Sequence, residues 1–358
     1  MINSYFTLLL PIFSIPLITA WISKKTHGSW FYPGAFFPLT WFLYMSLSFT
    51  MAPEFKPHLI GVILIILFST LVMVGANFFQ KVKKEKNVKN KYLININYLF
   101  NINIIFSFIS LVGIFFVIKM GFSWFQLDQN IFNLYMLPNL FANDRYNELQ
   151  SLPTNIKVLM FLTYPTALIA GFVFPFKKGS KRFFSFLPIL ITILYGALFA
   201  VRSGILLSII LTFSGMTCAK IYLDHNLNNW SKRVLSAGSI LIFSLFTLYI
   251  FFQWIRGGPE SDFIINELLQ NAKAGILGSF PAFTIWFSNY DFSHNYDLGL
   301  NTFAAPMEIL GLTSRASGYY TDFITIGPSV TNIYSAFRGV ISDFGLIGSF
   351  FFFLFFGF

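Results

Sequence analysis

The chain has 358 residues, of which 56% are hydrophobic, 20% aromatic and only 11% charged, and its mean hydropathy is +0.67. A water-soluble protein of this size has no means of keeping so much apolar surface from solvent, so the composition excludes a soluble enzyme or binding module and requires an integral membrane protein. The net charge of +10 does not call for nucleic acid, because membrane proteins collect Lys and Arg on their cytoplasmic loops; membrane lipids, and no nucleic acid, are the expected surroundings.

Apolar runs near the length that crosses about 30 Å of hydrocarbon fall at about 4–22, 32–52, 58–80, 99–119, 157–176, 184–201, 204–222, 234–253 and 339–358. They predict an all-α integral membrane protein, a polytopic bundle of about nine or more transmembrane helices. Residues 1–358 then form a single membrane domain with outward-facing loops at about 120–155 and 254–338. The division between the sixth and seventh runs rests on the polar interruption Arg202-Ser203-Gly204. Met1–Trp21 lacks the basic start of a cleavable signal and suits a spanning helix, and the lone Cys218 excludes an internal disulfide.

Orientation follows from the basic loops. Taking alternate sides, one set of connections holds Lys24, Lys25, the lysines between Lys81 and Lys91, Lys177, Lys178, Lys181, Arg182, Lys220, Lys232 and Arg233, against only Glu85 and Asp224. The positive-inside rule places that set in the cytoplasm and the N-terminus outside. Of the outward segments, Met120–Asn155 reads as an amphipathic helix on the bilayer surface. In the second, SDFIINELLQNAKAGILG reads as a short surface helix and FPAFTIWF as a stretch that dips into the membrane.

The chemistry collects late in the chain. Between Arg256 and Asp343 lie eight of the 14 acidic residues. There is no P-loop, HExxH, GxSxG or metal-holding Asp-x-Asp pair, and no cofactor is expected. What stands out is arginine at the outer ends of apolar runs: Arg202, Arg256 in QWIRGG, and Arg338 just before the last run. A guanidinium stays charged and forms paired hydrogen bonds to phosphate, whereas the plain reading is snorkelling to lipid headgroups. Arg202, between two closely spaced apolar runs, departs furthest from that plain reading. His294 has the side chain best suited to proton transfer near neutral pH, with Asp297 and Glu308 next, each set against the plain reading of a solvated loop residue. Asp343 either pairs with an arginine or orients a sugar. Tyr319, Tyr320, Tyr334, Trp254 and Trp286 either stack on sugar faces or belong to the interfacial belt.

The order Arg-Ser-Gly, WIRGG, GSFPAF, LNTFAAPMEILGL and TNIYSAFRGVISDFGLIGS, running from about Val201 to the end, resembles the O-antigen polymerase (Wzy-type, oligosaccharide repeat unit polymerase) family of bacterial inner membranes. The resemblance implies a metal-independent glycosyltransferase that joins repeat units carried on undecaprenyl diphosphate. It would do so in the inner (cytoplasmic) membrane, with the site facing the periplasm and a chain-length regulator protein as partner. Carried onto this chain, the matching positions are Arg202, Arg256, Arg338, Asn332, Tyr334 and Asp343. Family members continue with further helices and a basic tail, so the ending FFFLFFGF implies a chain truncated at its C-terminus. Two other readings stay open at this point: an O-antigen ligase, which shares the donor, and a lipid-linked oligosaccharide flippase. A flippase is expected to show short loops on both faces and two related halves, which the sequence lacks. An acyltransferase, a further class, wants a histidine deep in a helix, while His27, His58 and His225 sit at loops or helix ends.

Overall fold

A computed structural model of the chain describes residues 2–78, 94–130, 133–147, 152–201, 203–224, 265–292, 296–309, 311–312, 320 and 322–358. It is mostly helical (77%). Six of its helical segments are long and apolar enough to cross a membrane: Leu59–Phe78, Ile96–Trp124, Thr154–Phe176, Gly179–Phe199, Ser203–Lys220 and Ala336–Gly357. These answer to six of the nine expected runs. Those at 4–22 and 32–52 are helical as well, within α1 (Ile2–His27) and α2 (Pro33–Met51), but are not among the six. The run at 234–253, the basic loop around Lys81–Lys91, Arg202, Arg256 and His294 lie outside the described residues.

The chain groups into two compact units, one of residues 1–87 with 265–358 and one of residues 88–264. The first contains α1, α2, α3 (Leu59–Phe78), α11 (Ile265–Leu277), α12 (Ser279–Ser288), the short α13 (Ala304–Ile309), the hairpin β1 (Ile324–Ile326) with β2 (Ser329–Thr331), and α14 (Ala336–Gly357). The prolines inside α1 are tolerated where hydroxyls reach freed carbonyls: Ser14 donates to the Pro11 carbonyl at 2.6 Å and Thr19 to that of Pro16 at 2.9 Å. Pro33 opens α2 at a position where a missing N–H costs nothing. The core is aromatic: Phe68, Phe280, Phe283, Phe337 and Phe353 are buried together with Met45, Val62 and Ile65. FPAFTIWF, expected to dip into the membrane, is the α12 helix, and it packs on α3 so closely that Gly61 faces the Thr284 backbone. The antiparallel hairpin, pairing Ile324 with Thr331 and Ile326 with Ser329, is a small exception to the expected all-α fold. Its Ile326 is fully buried.

The second unit contains α4 (Ile96–Trp124), α5 (Leu137–Asn147), α6 (Thr154–Phe161), α7 (Thr163–Val173), α8 (Gly179–Phe184), α9 (Leu187–Phe199) and α10 (Ser203–Asp224). Asn95 caps α4, its side chain accepting from the Asn97 and Tyr98 amides. That helix runs on to Trp124, so the outward segment expected from Met120 starts later. Within it, α5 buries Leu137, Phe141 and Ala142 against α9. Helices α7 and α10 meet through small residues, as membrane helices do, with Gly171 against Thr212 and Gly215 against Leu168. Ala200, in the left-handed region at φ 49°, stops α9, and α10 starts at Ser203, so the polar interruption does separate two helices.

The last helix is not a rod. Gly345 has φ 65° and ψ −177°, which breaks α14 into 336–344 and 346–357. A straight helix would hold residues 337 and 353 roughly 24 Å apart, yet the Phe337 and Phe353 rings lie 5.0 Å apart and both touch Phe68. Phe344 likewise stacks on Phe352 at 5.9 Å. The apolar run from residue 339 therefore contains a sharp bend where hydropathy alone predicts one continuous span. Irregular backbone at membrane depth persists only where protein buries it, and Phe337, Arg338, Val340, Ile341, Asp343 and Gly345 are all buried.

Candidate functional site

Arg338 sits in the first turn of α14 with only 7% of its surface exposed. Its Nη2 donates to Asp322 Oδ2 at 2.6 Å, and its guanidinium lies over Tyr320 at 3.9 Å, Tyr334 at 4.1 Å and Trp286 at 5.0 Å. Nε and Nη1 are buried with no hydrogen-bond partner among the described residues. An ionised group held this way is costly, since buried N–H donors left unpaired each forfeit about 1–3 kcal/mol. The aromatic faces offset part of that cost at about 0.5–2 kcal/mol per contact. Tyr320, Tyr334 and Trp286, three of the five aromatic residues set between sugar stacking and the interfacial belt, thus lie against the arginine.

The segment around Tyr320 and Asp322 is tied to the 332–338 stretch. Asn332 Nδ2 donates to the Tyr320 carbonyl at 3.1 Å, and the Tyr334 hydroxyl donates to the Asp322 carbonyl at 3.0 Å. Burial pushes the Tyr334 phenol above its ordinary value, against the opposing pull of Arg338, so it stays protonated and donating. Arg338, Asn332 and Tyr334 therefore form one cluster.

One turn further along, Asp343 is fully buried. Its Oδ1 accepts from the Asn301 amide N–H at 3.0 Å and from Asn301 Nδ2 at 2.9 Å, and its Oδ2 accepts from the Thr302 N–H at 2.5 Å. The Ser342 and Asp343 carbonyls, which a continuing helix would have used, accept from the Asp297 and Leu298 N–H groups at 3.1 and 3.2 Å. Asp343 pairs with no arginine among the described residues. With both carboxylate oxygens engaged it anchors the 297–302 loop. Replacing it by alanine strands three N–H donors. Asp343→Ala is therefore expected to lower the melting temperature of detergent-purified protein well beyond Asp343→Asn, which keeps one acceptor oxygen. Unfolding followed by light scattering checks this, and equal melting temperatures for wild type and Asp343→Ala would contradict it.

Asp297 is exposed, and its Oδ2 accepts from Asn301 Nδ2 at 2.8 Å, so one amide bridges Asp297 and Asp343. Gly339 joins the two clusters: a Cβ there would meet the Tyr320 hydroxyl at 3.4 Å and the Asn301 Cβ at 3.5 Å. Of the expected base candidates, Asp297 is thus beside the Arg338 cluster; for Glu308 only its helical backbone, in α13, is described. Sequence reasoning weighed Asp322 only as one of the late acidic residues, not as a partner of Arg338, and missed Asn301. The one available signal was their place, Asn301 in LNTFAAP and Asp322 just before the hairpin.

Beside this cluster a cleft of about 460 Å³ opens among Thr40, Trp41 and Tyr44 of α2, Ser279 of α12 and Tyr334-Ser335 leading into α14. The Tyr44 hydroxyl donates to the Ile276 carbonyl at 2.8 Å and shares a 2.8 Å hydrogen bond with Ser279 Oγ. Comparison with protein-family models, with curated proteins and with solved structures finds no match for the chain.

Proposed function

We propose that the protein is a glycosyltransferase that polymerises oligosaccharide repeat units carried on undecaprenyl diphosphate, at the outer face of a bacterial inner membrane. The observation that carries this reading is the Arg338 guanidinium. It is buried, caged by aromatic rings and left with unused donors at the start of a broken membrane helix. An anionic oxygen of a diphosphate supplies what those donors lack, and a fixed positive charge in a place of low dielectric stabilises a departing diphosphate where other enzymes use a metal. Arg202 and Arg256 lie outside the described residues, and their part in the reading is only the one that the resemblance implies.

In the reaction, the bond between the anomeric carbon of the donor glycan and its diphosphate oxygen breaks. The electron pair leaves with the diphosphate beside Arg338, while an acceptor hydroxyl oxygen of the next lipid-linked unit bonds to that carbon. The hydroxyl proton passes to a base, a role given to Asp297 because it is exposed and held by Asn301 within the same cluster; His294 is the other candidate on its sequence.

Deletion of the gene followed by gel analysis of surface glycan tests the reading. A polymerase deletion leaves a single repeat on the acceptor core, a ligase deletion leaves none there, and a flippase deletion strands the unit on the cytoplasmic side. A complete ladder of polymer lengths in the deletion strain would overturn the proposal.

A further inference from the structure

We infer that the cleft between α2, α12 and the start of α14 is a sugar-binding subsite that holds a pyranose ring of the lipid-linked glycan, an inference that rests on the function proposed above. Its walls combine two kinds of surface. Trp41, Tyr44 and Tyr334 supply aromatic surface, and Thr40, Ser279 and Ser335 supply hydroxyls. Among the described residues no charged side chain lines it, which suits a neutral, many-hydroxylated occupant.

One group on the walls is buried without a partner among the described residues. Ser335 Oγ is buried without a hydrogen bond, and Ser335 is itself only 7% exposed. Trp41, half-buried, is held firmly, stacked on Phe337 at 4.7 Å and edge-on to Tyr44 at 5.7 Å. A prenyl chain would cover the aromatic surface and leave Ser335 Oγ unpaired, whereas a pyranose offers an apolar face to the rings and hydroxyls to the polar groups. The size suits a small ligand, within the roughly 300–1,000 Å³ of such sites. The position suits the chemistry too, because Tyr334 lines the cleft and also lies under the Arg338 guanidinium at 4.1 Å. A sugar in the cleft therefore sits next to the place given to its diphosphate.

The test uses the full chain in lipid nanodiscs and saturation-transfer NMR with methyl glycosides of glucose, galactose, N-acetylglucosamine, N-acetylgalactosamine and rhamnose as probes, and farnesol as a short prenol. At least one glycoside is expected to receive saturation. Its affinity should fall about tenfold or more in Trp41→Ala, as for an aromatic anchor, and fall by a smaller factor in Ser335→Ala. If Trp41→Ala fails to fold, Trp41→Phe and Ser335→Ala, which remove the indole N–H and a single oxygen, carry the comparison. Absence of any glycoside signal, a signal unchanged by all three cleft variants, or binding of farnesol alone would each overturn the subsite. Glycoside binding together with a normal ladder in the deletion strain keeps the subsite and removes the polymerase, while polymerase banding without glycoside binding does the reverse.

Discussion

Arg338→Lys and Arg338→Ala are expected to cut polymer formation in a complemented deletion strain by roughly 100-fold or more, the scale on which removing one preorganised donor to a developing negative charge acts. Lysine keeps the charge but not the flat fork that lies between Tyr320 and Tyr334, so it is not a conservative change here. The fold should survive. The partner Asp322 has 63% of its side chain exposed, and a carboxylate left in water loses little with its partner. Arg338→Met is the sharper probe, because an apolar side chain removes the buried unpaired donors and is expected to leave the melting temperature unchanged or raised while polymer disappears. Stability and activity then move apart, as a binding residue requires and a structural one does not. Near-normal polymer from Arg338→Ala at normal expression would remove the arginine from the mechanism.

Gly345→Ala is expected to reduce the yield of folded protein severely, read as loss of the monodisperse peak in fluorescence-detected size exclusion. Two costs compete for the credit. A Cβ at this position would come within 2.6 Å of the Tyr296 ring, but that ring is 53% exposed and can swing away. The backbone has no such escape: φ 65° with ψ −177° belongs almost wholly to glycine and costs other residues on the order of 1–3 kcal/mol. Tyr296→Ala added to Gly345→Ala is therefore expected to recover only a small part of the yield. Full recovery by the double variant would show that the ring collision, and not the backbone, dominates.

Hydropathy located the helices well because each run is long and its burial needs no distant partner: Leu59–Phe78 and Ile96–Trp124 follow from composition alone. The bend at Gly345 was not legible. Asp-Phe-Gly inside an apolar run reads as continuing helix, and only the Asn301 and Thr302 N–H groups, some forty residues earlier, explain why the chain turns there. Arg338 was legible as an arginine at a helix start, but its aromatic cage was not, because Trp286 and Tyr320 are brought to it by folding and not by spacing. The α2 side of the cleft was invisible for a similar reason. Thr40, Trp41 and Tyr44 belong to a stretch that offers no motif, and they gain meaning only when Ser279 and Ser335 are placed opposite.

The interruption of α14 also divides an electric field. One unbroken helix would present a single positive pole at its start and a single negative pole at its far end, whereas two short segments present two of each. The positive pole of 336–344 lies at Ser335, where it adds to the charge of Arg338. Asp343, by contrast, stands in the last turn of 336–344, at that segment's negative pole, and the donors its carboxylate meets come from Asn301 and Thr302. The bend thus leaves Arg338 at a positive pole, while the carboxylate further along depends on donors brought from a distant loop.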